Sequence, residues 1–174
     1  MQLLRRLSVG LLWALAAIGI VCGAVWGATT AGLIKPLVVV SGSMEPGIMT
    51  GDLLVATKAD SADLEVGDVV SLPSEFTDAL VTHRIETITE TTPGQFQIAM
   101  KGDNNEFSDA LDYTVGASVW KPTWQLAGMG TVVTQMTTPA VAVPLLIGLG
   151  SLLGLSLLIP AAPRPRAPRA AAVH

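Results

Sequence analysis

Between Arg6 and Lys35 the chain carries no charged residue: "LSVGLLWALAAIGIVCGAVWGATTAGLI" is apolar or small almost throughout. A helix needs about 20 such residues to cross roughly 30 Å of hydrocarbon, where backbone polar groups find no water and must bond to one another. The run exceeds that length and predicts a membrane helix over 7–34. A cleavable leader is the competing reading, since two arginines precede the run and "AVWGA" offers small residues near its end. The apolar core of a leader is only about 7–15 residues, so the length favours a retained anchor. A second uncharged run, "TTPAVAVPLLIGLGSLLGLSLLIPAA" at 137–162, predicts a second span. Pro144 and the glycines do not exclude it, because neighbouring groups re-satisfy a membrane helix at such points. Mean hydropathy of +0.54, with 50% hydrophobic residues, is what two such segments produce in a chain of 174.

Arg5 and Arg6 precede the first run, while Arg164, Arg166 and Arg169 follow the second. By the excess of positive charge on cytoplasmic flanks, residues 1–6 and the tail 163–174 face the cytoplasm, and residues 35–136 lie outside. The tail, Pro/Ala/Arg-rich and without hydrophobic pattern, reads as disordered. All 14 acidic residues fall between Glu45 and Asp112, against only Lys58, Arg84, Lys101 and Lys121 from 36 to 137. So acidic a segment disfavours nucleic acid as a partner. Cys22, the one cysteine, lies in the first run, so no intrachain disulfide is possible.

About 100 residues between the spans suffice for one modest domain. Its apolar runs are short and β-branched: "LVVV" at 37–40, "LLVAT" at 53–57, "DVVSL" at 68–72, "LVTHRIETIT" at 80–89, "QFQIAM" at 95–100 and "TVV" at 131–133. Pro46-Gly47, Gly51-Asp52, Gly67-Asp68, Pro93-Gly94 and Gly102-Asp103 punctuate them. That spacing predicts a mainly β protein: a small all-β domain of hairpins flanked by two transmembrane helices. "PSEFTDA" and "DNNEFSDALDYT" read as surface loops. Trp120 and Trp124 suit either the membrane interface or the core.

His83 is the only histidine of this middle segment, since His174 ends the chain. An imidazole titrates near neutral pH and can take a proton from a hydroxyl if a carboxylate orients it. Hydroxyls occur in "SGS" at 41–43, although serine and glycine are ordinary turn formers, and acids occur in "KGDNNEFSDA". An isolated strand histidine is more often structural. Alternation places Val81, His83 and Ile85 on one face and Thr82, Arg84 and Glu86 on the other, so His83 shares the apolar face. One exterior histidine and no exterior cysteine fall short of a zinc ligand set, and the acids lack calcium-loop spacing. No metal or other cofactor is expected, and no phosphate-binding glycine loop occurs.

"SGSMEPGIMTGDLLVAT", "VGDVVSL", "VTHRI" and "KGDNNEFSD" follow one another in the order of the sequence boxes of type I signal peptidases. Residues 36–134 resemble specifically the endoplasmic-reticulum-type branch of eukaryotes, archaea and some Gram-positive bacteria. The resemblance implies a membrane serine endopeptidase that removes signal peptides from secreted precursors, cutting after small residues (Ala-x-Ala). It implies Ser43 as nucleophile, His83 as base and Asp109 as the acid behind it. Asp103 is then a turn-ordering or supporting residue, and Ser41 supplies a hydroxyl to the oxyanion. With a peptide as substrate, an extended chain is expected to pair with the edge near Leu80–His83 and with the segment around Ser41, placing Val81 and Thr82 beside it; Gly42 lets its backbone approach closely, and Met44 contacts substrate, lipid or core. Ser108 stands where many relatives carry an acid. The partners implied are precursor proteins and the lipid bilayer; accessory subunits are not legible. A specialised peptidase with few clients, or a signal-sequence binder that does not cut, is the rival reading.

Overall fold

A computed structural model describes residues 2–74 and 79–158. The described residues fall into two compact units, divided between residues 134 and 135. The first begins with α1 (Gln2–Thr30). Of α1, Gly10–Thr30 is the only single helix among the described residues long and apolar enough to cross a membrane. Trp13, Ile20 and Trp26 are each at least 70% exposed, so this helix has no apolar side turned toward a core.

Seven strands follow: β1 (Ile34–Val38), β2 (Leu53–Asp60), β3 (Val69–Pro73), β4 (Leu80–Thr92), β5 (Gln95–Lys101), β6 (Tyr113–Val115) and β7 (Ser118–Leu126). They form one antiparallel sheet in the order β1-β2-β7-β3-β4-β5-β6. Pro36 donates no backbone hydrogen bond and sits in an edge strand, where the ladder tolerates it. Pro122 lies in β7 where the β2–β7 register shifts at Val55/Ala56, a place where one missing donor does not break the ladder.

β4 is long enough to serve two neighbours. Leu80–Arg84 pair with β3, and pairing with β5 begins only at Arg84. Leu80–His83 therefore have β3 on one side and no strand on the other. Ile85 and His83 turn inward while Glu86 is exposed, as the alternation requires. Leu64, Val70, Leu72, Ile85, Phe96, Ile98, Met100, Val115 and Val119 form the core. Complete burial of one such side chain contributes about 1.5–3 kcal/mol, so the core fixes the register that carries His83.

"TVV" at 131–133 is not a strand: these residues lie in α2 (Met129–Thr137). β-Branched composition is a weak preference that tertiary contacts override. Here Gly128 adopts φ 68°, its N–H donates to Asp52 Oδ1 at 2.8 Å, and Thr131 N–H donates to Gly51 O at 3.0 Å. Gly130 packs so closely on the Asp52 carbonyl that no Cβ fits. These contacts turn the chain into a helix at this point. "DNNEFSDALDYT" is likewise not all loop, because β6 starts at Tyr113. Trp120 and Trp124 belong to β7. Trp120 is half-buried, with Lys35 and Lys58 Nζ 5.4 and 5.8 Å from its ring centre, whereas Trp124 is 58% exposed and is not a core residue.

The second unit contains α3 (Pro139–Leu158), uncharged and with Pro144 in its interior. The expected second span, 137–162, and the tail, 163–174, run beyond the described residues, as does most of "PSEFTDA".

Candidate active site

Three separate elements bring Ser43, His83 and Asp109 into one row. Ser43 lies in the turn region between β1 and β2, His83 in β4 opposite Val70 of β3, and Asp109 in the loop between β5 and β6. His83 Nε2 is 3.1 Å from Ser43 Oγ. On the other side of the ring, His83 Nδ1 is 2.8 Å from Asp109 Oδ1 and 2.9 Å from Oδ2. His83 as a whole is 7% exposed. With Nδ1–H donating to the carboxylate, Nε2 is left as an acceptor facing the hydroxyl. That tautomer can take a proton from Oγ, and the adjacent carboxylate favours the resulting cation.

The serine turn is held from beneath by the "GDNN" loop. Asn104 N–H donates to Ser43 O at 2.8 Å, and Asn104 Nδ2 donates to Gly42 O at 3.1 Å. A Cβ on Gly102 would lie 2.6 Å from Ser43 O, so this approach requires glycine. Asp103 touches neither Ser43 nor His83 through a hydrogen bond among the described residues. Instead it accepts two bonds from Arg84, at 2.8 Å from Nε and 2.6 Å from Nη2, while Arg84 Nη1 donates to Gly67 O at 2.7 Å. That guanidinium holds the Asp103 carboxyl below its ordinary value. Asp103 thus orders the loop whose next residue carries the serine turn.

The far end of the same turn rests on Asp52, which is buried. Its carboxylate accepts from Gly128 N–H at 2.8 Å, Met49 N–H at 2.9 Å and Gln125 Nε2 at 2.7 Å. These donors, the Gly128 and Met49 amides foremost, lower its pKa. Sequence reading passed over Asp52, Arg84 and Asn104. The turn signals at Gly51-Asp52 and Gly102-Asp103 marked the places without indicating what the side chains hold.

Ser41 Oγ is 3.4 Å from Ser43 Oγ, longer than the usual 2.5–3.0 Å for a hydroxyl pair, so Ser41 is near the serine without being bound firmly to it. A groove of about 620 Å³ opens over Ser41 and Ser43, walled by residues 37–40 on one side and 79–82 on the other. β1 pairs only with β2, and Leu80–His83 have only β3, so both walls offer backbone groups to an extended chain. Met44, 2% exposed, lies in the lining together with Val81 and Thr82. Thr82 Oγ1 is 2.7 Å from Ser71 Oγ, which ties its hydroxyl to the sheet. Gly42 is not part of this lining; a Cβ there would meet the Glu45 carboxylate at 3.0 Å. Ser108, outside the row, donates to Glu86 Oε2 at 2.5 Å. No cluster of metal-ligating side chains occurs among the described residues.

No protein-family model matches the chain. Among curated proteins, the signal peptidase complex catalytic subunit SEC11C of Homo sapiens is 39% identical over 83 residues, 47% of this chain and 43% of that protein. The signal peptidase complex catalytic subunit sec11 of Dictyostelium discoideum is 40% identical over 83 residues, 47% of this chain and 46% of that protein. The putative signal peptidase complex catalytic subunit SEC11B of Homo sapiens is 36% identical over 75 residues. The chain spans less than half the length of these curated relatives. Each of these relatives is named as a catalytic subunit of a signal peptidase complex.

Proposed function

We propose that this chain is a membrane-anchored serine endopeptidase that removes signal peptides from secreted precursors, cutting after small residues in an Ala-x-Ala pattern. The observation that carries the reading is the row Ser43, His83 and Asp109, whose serine and histidine line a groove with one free strand edge on either side. The likeness to signal peptidase catalytic subunits supports it.

In this reading the end of the signal peptide pairs as an extended strand with Leu80–His83 and the chain leading to Ser41, and small side chains enter the groove over Met44 and Val81. Ser43 Oγ attacks the scissile carbonyl carbon and its proton passes to His83 Nε2. The tetrahedral oxyanion takes hydrogen bonds from Ser43 N–H and the Ser41 hydroxyl. His83 then gives its proton to the departing amine, and a water molecule, deprotonated by the same imidazole, hydrolyses the acyl-enzyme. Asp109 holds the tautomer throughout and accompanies the imidazolium.

Such substrates end their apolar segment at the outer membrane face, where α1 would hold the domain. In the topology proposed, residues 7–34 and 137–162 span the membrane, both termini are cytoplasmic and 35–136 lie outside. Purified full-length protein in detergent is incubated with an Ala-x-Ala precursor, alongside Ser43→Ala and His83→Ala. Cleavage by the intact chain alone supports the reading. Absence of cleavage, with the precursor still captured, would make it a signal-sequence binder.

A further inference from the structure

Tyr113, the only tyrosine of the chain, opens β6 four residues after Asp109. Its hydroxyl lies 3.0 Å from Asp109 Oδ2, the oxygen that is also 2.9 Å from His83 Nδ1. A carboxylate oxygen has two lone-pair directions and accepts both bonds at once. The tyrosine ring packs against the core cluster, and β6 is fixed by pairing Tyr113 with Ile98. A strand packed on the core thereby grips Asp109, which itself lies in the loop between β5 and β6.

We propose that Tyr113 is a positioning residue: by donating to Asp109 Oδ2 it fixes the carboxylate against His83 and shares its charge, and so sets how readily the imidazole takes a proton from Ser43. This rests on the peptidase reading above. Burial, and then the carboxylate beside it, push the tyrosine up to about 12, so the hydroxyl remains a donor at every pH at which an imidazole changes charge.

The electrostatic surroundings of His83 make the effect legible. Asp109 faces it directly. Asp103 is neutralised by Arg84, and Asp112 lines the cavity of about 260 Å³ that reaches Asp109 and Tyr113. β3 contains no ionisable side chain, and Lys101 of β5 lies in register with Arg84, on the other face of the strand from His83. Without the tyrosine hydroxyl, Asp109 concentrates its charge on the imidazolium. His83 then becomes more basic and is neutral over a narrower range, so the acid limb of activity moves to higher pH.

The test compares full-length Tyr113→Phe with the wild type in detergent; phenylalanine keeps the ring and its packing. Two quantities are read: kcat and KM on an Ala-x-Ala precursor across pH, and the His83 imidazole titration by NMR, with His174 as internal reference. The expected result is a roughly tenfold fall in kcat with KM unchanged, and an upward movement of both the acid limb and the His83 titration. In an Asp109→Asn background the same substitution should leave the His83 titration where it was. An unmoved His83 titration overturns the proposal, even if activity falls, since packing alone would explain that. A moved titration in a wild type that cleaves nothing leaves the tyrosine coupling standing and removes the peptidase reading instead.

Discussion

Gly102→Ala tests whether the "GDNN" loop sets the position of the serine. The added Cβ would lie 2.6 Å from the Ser43 carbonyl oxygen and 2.8 Å from Asn105 Nδ2. Asn105 ends in a side-chain amide that can rotate away. The Ser43 carbonyl is backbone, and it already accepts the Asn104 N–H at 2.8 Å. Restoring an ordinary contact from 2.6 Å to 3.4 Å requires about 0.8 Å of movement, shared between this loop and the serine turn. Ser43 Oγ sits 3.1 Å from His83 Nε2, so a displacement of that size takes it out of line for proton transfer. Misplacement by about 1 Å costs on the order of 10²-fold in rate. The expected outcome is therefore a fall of that order in kcat/KM on an Ala-x-Ala precursor, with a thermal transition that remains cooperative. Gly116→Ala is the control: a Cβ there meets nothing within 4 Å, and activity should stay near that of the wild type. If Gly102→Ala retains activity within about threefold, the idea that this loop positions the nucleophile is wrong.

Ser43→Ala should abolish cleavage, whereas Ser41→Ala should lower kcat by about 10²–10³-fold as one oxyanion donor is lost; equal rates for Ser41→Ala and wild type would take that hydroxyl out of the reaction. Asp52, Asp68 and Asp103 all titrate below the ordinary 3.8, held down chiefly by the Gly128 amide, Lys121 and Arg84 respectively. Their folded values lie below their unfolded ones, so the stability they add is complete above about pH 4–5 and is lost as pH falls through the depressed values. Melting temperature should accordingly be flat from pH 5 to 7 and drop below 4, and Asp52→Asn should lower it at pH 7 and weaken the drop. Arg84→Gln removes a partly exposed ion pair contributing about 1 kcal/mol at most, yet it frees the loop that carries Asn104; kcat should fall by a larger factor than denaturant stability accounts for, and proportional losses would show that Arg84 is merely structural.

The alternation of "LVTHRIE" made the face of His83 readable, and burial of His83 and Ile85 beside exposed Glu86 follows it. Five of the six apolar runs became strands for the same reason, although β1 begins at Ile34, earlier than "LVVV" suggested, and ends at Val38. "TVV" misled because its neighbours in space, Gly51 and Asp52, are about 80 positions away in the chain. β7 was missed because Trp120 and Trp124 sit on either side of Pro122, and a proline inside a run argues against a strand until a register shift accommodates it.

The sequence alone determined what depends on near neighbours: an uncharged run long enough for a membrane, the presence of five of the strands, the faces on which His83 and its neighbours in β4 point, and the short list of groups able to move a proton. The residues by themselves left the acid behind His83 open and only the family resemblance pointed to Asp109, which the tertiary structure sets 2.8 Å from His83 Nδ1; the tertiary structure alone decided that Arg84 occupies Asp103 and that Tyr113 grips Asp109. Local pattern specifies direction along a strand; distances between side chains from different strands follow from register and packing, which exist only once the sheet has closed around its core.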